Sequence, residues 1–464
     1  MSGILLINPP AIKLYRGFHN ATPKLPPLGI AYLASYLEQR HIPVSIYDSF
    51  AEDASLLDVE KKIITSKEPF IGITSVTATM QEAIAIASLS KRYGKKVVIG
   101  GPHISALPIQ TLQLYKYFDY GVIGEGEETL HELVSGKNPA EINSLVYRDR
   151  DKVVFTKQRN FIENISFLPH PARHLLKNDL YKGSDWLFNR KKGFFNIITS
   201  RGCPFECTFC ASKTIWGRHT RFRTLEDVYS ELDQLKRLGI RQLWINDDTF
   251  TLRKDRMREI SGKIKSLHIE WGCNARVDEI TRENLRYLKQ CNCSIVLFGI
   301  ESGNQQILDG MKKNITLQQA QAALQLTKEM KLKTCCSFII GNIGETEKTV
   351  FDTIRFAKKL KPDLALFNSL TPYPGTEVYK KAIEMNFLTQ DIDAYVNPKY
   401  FEPVVSQPGM SSARTKKLLG RAYWSFYVRP RFLFRFVCDS VSSYDGFKRS
   451  LQILKMVFYL CIRH

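Results

Sequence analysis

Three of the chain's ten cysteines fall within eight residues: Cys203, Cys207 and Cys210 in the stretch RGCPFECTFCAS, residues 201–212. In a compartment that keeps thiols reduced, cysteines so crowded read as metal ligands or catalytic groups before disulfides. Three thiolates can hold a [4Fe–4S] cluster by three of its irons and leave the fourth iron open. Ferredoxin-type clusters are closed by a fourth cysteine, at a spacing unlike this one. The plainer alternative is a structural zinc site, which wants four tetrahedral ligands. Its fourth ligand would have to be His219 or the distant Cys273, and zinc requires neither this spacing nor this place in the chain.

The elements around the loop form a regular series. Strands are expected at Phe194–Ser200, Gln242–Asn246, Trp271–Ala275, Ser294–Ile300, Lys333–Ile340 and Ala365–Thr371. Helices are expected between them at Leu225–Leu238, Asp255–Ser266, Arg282–Gln290, Leu317–Met330 and Glu347–Leu360. Six such repeats with right-handed crossovers curl into a partial barrel whose chemistry lies at the carboxyl ends of its strands. The cysteine loop follows the first strand. An earlier alternation covers the first 135 residues, with strands at Ile4–Asn8, Pro43–Tyr47, Phe70–Ser75, Val97–Gly100 and Tyr120–Ile123. Helices at Gly29–Gln39, Gln81–Tyr93 and Glu127–Leu133 accompany them. That pattern predicts a parallel, flavodoxin-like α/β sheet whose loops INPP, ITSVTATM and GGPHISALP share one rim. Residues 136–192 read as a linker with a small hairpin, 193–400 as the barrel, and 401–464 as a basic, aromatic, helical C-terminal region.

With the spacing Cys203-x3-Cys207-x2-Cys210 and Phe209 before the last cysteine, the barrel resembles the radical S-adenosylmethionine enzymes. The resemblance implies a cluster whose open iron chelates the methionine moiety. It also implies one-electron cleavage of the sulfonium to a 5′-deoxyadenosyl radical that takes a hydrogen from substrate. It assigns S-adenosylmethionine contacts in order along the strand ends. Asp247, Asp248 and Thr249 would meet the ammonium, Arg276 the carboxylate or ribose, and Glu301 and Ser302 the ribose. Gly341, Gly344 and Glu345 in FIIGNIGET would lie near the adenine, with TPYPGT closing over the base. An Asp pair at a strand end is on its own commonly a helix cap; six strand ends in order are not explained that way. Cys335 and Cys336 read as core packing, and Cys291 and Cys293 receive no role.

LPPLGIAYLASYLEQRHIPVSIYD, GGPHISALP and GEGEET resemble the cobalamin-binding domains that precede the barrel in one radical S-adenosylmethionine class. The resemblance implies bound cobalamin, with Ser75 and Thr77 near its buried nucleotide tail and Gly100 and Gly101 letting backbone approach it. The Asp-x-His-x-x-Gly motif that ligates cobalt in methionine-synthase-like domains is absent, and His103 reads as a loop hydrogen-bonder. The plain alternative is a flavodoxin-like module that binds nothing or a nucleotide, although no Gly-x-Gly-x-x-Gly follows the first strand.

Composition bounds the rest. At 464 residues, 44% hydrophobic and 24% charged, the chain is globular and holds two to four domains. No secretory signal opens it and no run reaches about 18 uninterrupted apolar residues, so a cytoplasmic location is expected. The net charge of +20 is partly a tail effect, with eleven Lys or Arg against two acids from Arg414 onward. That tail could rest on an anionic membrane and present a lipid substrate, or simply cap the barrel mouth with Arg429, Arg431 and Arg435 solvated. The leading expectation is a cobalamin-dependent methylase of an unactivated carbon in a small molecule or lipid, fed by a flavodoxin- or ferredoxin-type reductant. An anaerobic oxidative cyclase, or another cobalamin-dependent radical rearrangement, shares the layout. A tRNA methylthiotransferase would carry three more cluster cysteines, yet residues 1–202 contain none; nucleic acid is therefore not expected. A non-catalytic cobalamin or iron–sulfur sensor would have lost the S-adenosylmethionine positions, and they are filled.

Overall fold

Short apolar runs separated by amphipathic helices build two sheets in this computed structural model, which describes residues 3–10, 23–183, 188, 193–389 and 402–429. In the first, β1 (Ile4–Asn8), β2 (Val44–Asp48), β3 (Phe70–Thr74), β4 (Lys96–Gly100) and β5 (Tyr120–Val122) are parallel. A hairpin, β6 (Leu145–Asp149) and β7 (Lys152–Phe155), adds antiparallel to β5, giving the order β2-β1-β3-β4-β5-β6-β7. Its residues alternate sides of the pleat, and Leu145 and Val146 are fully buried on opposite faces. The hairpin placed in the linker therefore extends the first sheet through Phe155.

The helices of this half are α1 (Leu28–Glu38), α2 (Leu56–Thr65), α3 (Met80–Arg92), α4 (Pro102–Ala106), α5 (Pro108–Leu114) and α6 (Glu127–Val134). Side chains alternate across β1, so Leu5 and Ile7 pack with α2 and α3 while Ile4 and Leu6 pack with α1 and α6. The sequence reading lacks α2, although Ser55 and Asp58 form a reciprocal capping box at its start.

The second sheet contains β8 (Phe194–Ile197), β11 (Gln242–Ile245), β12 (Glu270–Ala275), β13 (Cys293–Glu301), β14 (Lys333–Ile340) and β15 (Leu364–Ser369). All are parallel and in chain order, as a partial (β/α)6 barrel requires. Between β8 and β11 lies a two-stranded ribbon of β9 (Ser200–Arg201) and β10 (Arg221–Phe222). Its excursion carries all three cysteines and the short helix α7 (Ser212–Trp216). The outer helices are α8 (Leu225–Arg237), α9 (Lys254–Ser266), α10 (Arg282–Gln290), α11 (Gln305–Gly310), α12 (Leu317–Glu329) and α13 (Glu347–Leu360). Thr224, Thr281, Thr316 and Thr346 start four of them by accepting a backbone N–H three residues on. Phe188, Phe194, Trp244, Ile295, Cys335 and Leu364 pack together as a plug, while Cys336, Cys273 and Cys293 belong to the core shared with the helices.

A partial barrel leaves two strand edges to satisfy. On the β8 side, Arg173 Nη2 donates to the Asn196 carbonyl at 2.7 Å and Arg223 Nη1 to the Ile198 carbonyl at 2.9 Å. Glu231, fully buried, holds both guanidinium groups. On the β15 side, α14 (Glu377–Glu384) is followed by α15 (Ser412–Tyr427), which lies along the edge strand. The Tyr427 hydroxyl accepts from Ala365 N at 3.1 Å and donates to Ala365 O at 2.8 Å, and Tyr423 accepts from Phe367 N at 3.1 Å. Two tyrosines one helical turn apart thus stand in for a missing strand. Residues 412–427 cap the barrel's side, and Arg429 donates to the Phe426 and Lys358 carbonyls. Arg431, Arg435 and the remaining basic tail lie outside the described residues. Replacing Tyr427 by Phe strands a buried N–H and carbonyl, which is expected to cost about 1–3 kcal/mol. A lowered thermal midpoint checks this; an unchanged one contradicts the edge-capping role.

Candidate active site

Several contacts at the carboxyl end of the barrel hold the cysteine loop. Thr208 N donates to the Met311 carbonyl at 2.9 Å, and Val378 N donates to the Thr208 carbonyl at 3.0 Å. The Arg276 guanidinium stacks on Phe205 at 3.6 Å. Phe209 packs beside Leu370, Val378 and Val405. At the loop's base Gly202 has φ +99°, and a Cβ there would collide with the His219 carbonyl, so the two legs are pinched together. The three thiols are free and half-buried. Burial raises the Cys203 thiol and pushes Cys210 up to about 11, with Asp248 and the neighbouring thiols adding to it. Cys273 is fully buried against Cys293, and among the described residues no three His, Cys, Asp or Glu groups converge as a single metal ion needs. A polynuclear cluster instead takes one thiolate per iron.

The strand-end residues fall into two sets. Asp247 is buried, and its carboxylate accepts from Thr199 N, Thr199 Oγ1 and Ser200 Oγ, each at 2.6 Å. It pins the turn into the cysteine loop. Asp248 faces the mouth, where it accepts from Ser212 at 2.6 Å, and the crowding protein raises its carboxyl. Thr249 is buried. Arg276 is committed to Asp278, at 2.9 and 3.0 Å, and to the Lys313 carbonyl at 2.9 Å, besides Phe205. Glu301 stands in the left-handed region (φ +69°), with Lys313 Nζ at 3.3 Å and Ser337 at 3.4 Å. Ser302 is fully buried beside Thr353 of α13. Glu345 Oε2 accepts from Gly341 N and Asn342 N at 2.6 and 2.9 Å, while its buried Oε1 has no partner among the described residues. Gln407 and Thr415 brace that turn: Gly344 N donates to Gln407 at 2.8 Å, and Gly341 leaves room for Thr415. At Gly375 of TPYPGT a Cβ would meet Thr214 at 2.8 Å and Ala106 at 3.4 Å, so this turn packs between α7 and α4. Asp248 thus lies within electrostatic reach of Cys203 and Cys210, Glu301 pairs with Lys313 near Phe209, and Asp247, Arg276 and Ser302 have structural partners.

Lys313 is absent from the sequence reading. Its ammonium is buried beside Glu301 and 5.9 Å from the Phe209 ring. Only the tertiary fold distinguishes it from Lys312, which pairs with Glu377 on the surface.

Where the first half meets the cysteine ribbon and α7 lies a cavity of about 200 Å³. Thr74, Gly100, Gly101, Glu125 and Glu127 line it from the first half, and Ile198, Arg201 and Trp216 from the second. Gly100 has nothing within 4 Å of where a Cβ would stand, whereas Gly101 has φ +102° and the Ser75 carbonyl 2.7 Å from that position. Ser75 and Thr77 are not in the lining: Ser75 Oγ donates to the Val76 carbonyl at 2.9 Å, and Thr77 shares a 3.2 Å hydrogen bond with His103. Burial lowers His103 to about 4, which keeps it neutral.

Residues 197–357 match the radical SAM superfamily and residues 18–134 the B12 binding domain. An uncharacterized methyltransferase of Pyrococcus horikoshii is 37% identical over 98% of each chain. The chain belongs to the cobalamin-dependent radical S-adenosylmethionine methyltransferase family. An anaerobic magnesium-protoporphyrin IX monomethyl ester cyclase of Rubrivivax gelatinosus is 28% identical, covering 88% of this chain and 75% of its own. A radical S-adenosylmethionine methyltransferase from Kitasatospora setae, solved with cobalamin and a [4Fe–4S] cluster, shares the fold. Its TM-score is 0.66 at 19% identity, over 84% of this chain and 76% of that one.

The family's three cofactors fit the residues present. The thiols form a three-anchor set, Glu345 Oε1 is a buried oxygen with no partner among the described residues, and the vacant side of Gly100 opens a cradle. Burial pushes Glu345 up to about 7 from 4.5. The folded carboxyl holds its proton more tightly than the unfolded one. Its contribution to stability is therefore full below about pH 4.5 and is lost as pH rises through about 7. Glu345→Gln is expected to flatten the fall in melting temperature across that window; an unaltered slope contradicts the assignment.

Proposed function

We propose that this chain is a cobalamin-dependent radical C-methyltransferase of an unactivated carbon in a small-molecule or lipid substrate. The observation that carries the reading is that one side chain, Arg201, both walls the cavity of the B12-binding half and opens the cysteine loop of the barrel. When bound, the cluster and S-adenosylmethionine supply a primary carbon radical, and cobalamin supplies the methyl group.

The chain's own contribution is to hold, orient and exclude. Cys203, Cys207 and Cys210 anchor the cluster through three thiolates. Asp248, Glu301 and Glu345 offer acceptors at three strand ends for the ammonium, ribose and adenine donors of S-adenosylmethionine. Gly100 and Gly101 let backbone approach the corrin's tail. The plug of Phe188, Phe194 and Trp244 closes the far end of the barrel, and a dry chamber suits a carbon radical that water-borne side reactions would quench.

Electrons would come from a flavodoxin- or ferredoxin-type reductant, in a cytoplasmic setting. No helix among the described residues is long and apolar enough to cross a membrane. Peripheral membrane contact through the tail would show as liposome binding that is lost on deleting residues 430–464.

A cyclase is the second reading, favoured by the Rubrivivax gelatinosus relative. The two differ in stoichiometry. Incubated with reductant, substrate and S-adenosylmethionine, a methylase forms S-adenosylhomocysteine beside 5′-deoxyadenosine in equal amounts, and Cys207→Ala forms neither product. 5′-Deoxyadenosine without S-adenosylhomocysteine would replace the methylase reading with the cyclase.

A further inference from the structure

Four charged side chains meet where the two halves join. Arg201 Nη1 reaches Glu125 Oε1 at 2.7 Å, Arg201 Nη2 reaches Glu127 Oε1 at 2.8 Å, and Arg221 Nη1 reaches Glu125 Oε2 at 2.7 Å. All four are between 3% and 5% exposed, and two positive charges balance two negative ones. The glutamates come from the GEGEE turn of the first half; the arginines are partners on the two strands of the ribbon, paired Arg201 to Arg221. Glu125 thus grips both legs of the cysteine loop at once.

The same residues form the cavity wall. Arg201 lies 5.2 Å over the Tyr32 ring and 4.8 Å over the Trp216 ring, and all three line the cavity with Glu125 and Glu127. Arg201 precedes Cys203 by two residues, and the pinched Gly202 between them leaves no slack. Trp216 ends α7, the helix that begins two residues after Cys210 and is tied by Ser212 to Asp248. Both ends of the cysteine segment therefore bear on whatever fills the cavity.

We infer that the Glu125–Glu127–Arg201–Arg221 clasp couples occupancy of the cavity to occupancy of the cysteine loop, with Arg201 as the positioning residue. The inference rests on cobalamin being the cavity's occupant. Such coupling is reciprocal: cobalamin binds more tightly when the cluster is in place, by the same factor that cobalamin favours the cluster. A clasp that is merely structural weakens both sites alike and leaves that factor near one.

The test is an anaerobic titration of the full chain with hydroxocobalamin, in cluster-loaded and cluster-free forms, followed by corrin absorption. The ratio of the two dissociation constants in the unsubstituted chain is expected to be about 5 or more. Arg201→Lys keeps the charge but loses the planar fork that reaches two carboxylates, and should bring the ratio close to one. Glu127→Gln, which cuts one link and leaves Glu125 holding the ribbon, should give an intermediate ratio and serves if Arg201→Lys does not fold. A ratio near one in the unsubstituted chain, or the same ratio in the variants, overturns the coupling while leaving cobalamin binding intact. No corrin binding in either form overturns the functional reading together with the coupling.

Discussion

Glu125 holds Arg201 and Arg221 with its two carboxylate oxygens, and Glu127 takes the other arm of Arg201. Burying four charges is costly. Such a set is tolerated only when it is neutral and its hydrogen bonds are made, and removing one member leaves an unpaired buried charge worth about 3–5 kcal/mol. Around this clasp the rest of the molecule is arranged. Arg221 also donates to the Ile162 carbonyl at 2.7 Å, and Ile162 N donates to Glu125 at 2.8 Å, which ties in the segment that connects the halves. The first sheet, the connecting segment and the cysteine ribbon share one buried polar centre, and the cavity opens directly beside it.

A second constraint is that six strands do not close a barrel. The edges are finished by side chains, with Arg173 and Arg223 on β8 and Tyr423 and Tyr427 on β15. Both devices also serve the site. Arg223 extends the ribbon that carries the cysteines, and its backbone N–H donates to the Thr199 carbonyl at 3.0 Å. The segment that leads into α15 supplies Gln407, which braces the Glu345 turn. The mouth is thereby walled by elements distant in sequence, while its floor belongs to the strands.

Much of this was legible in the residues. Buried parallel strands read as apolar runs, so β1 is found residue for residue at Ile4–Asn8, and β14 at Lys333–Ile340. The cysteine spacing is local and needs no fold to be recognised. What escaped depends on tertiary contact. Which of two adjacent aspartates turns inward is decided by Thr199 and Ser200, 48 and 47 residues away from Asp247. The clasp joins residues 76 and 96 apart. Its trace in the sequence is an acidic GEGEE turn and one arginine on each side of the cysteine segment, a pattern that means nothing until β9 and β10 are paired. In the fold the hydroxyls of Ser75 and Thr77 turn to Val76 and His103, while the glycines and the GEGEE turn line the cavity.

Two cofactor sites in one chain would meet at Arg201. The most direct measurement is the absorption spectrum of anaerobically purified protein, reconstituted with iron, sulfide and hydroxocobalamin and then desalted. One equivalent of retained corrin beside the cluster's charge-transfer band is the result expected, with the cluster band lost in the Cys203→Ala variant. A cluster band with no corrin would contradict the account, because the cavity between the halves would then have no cobalamin to bring to the barrel.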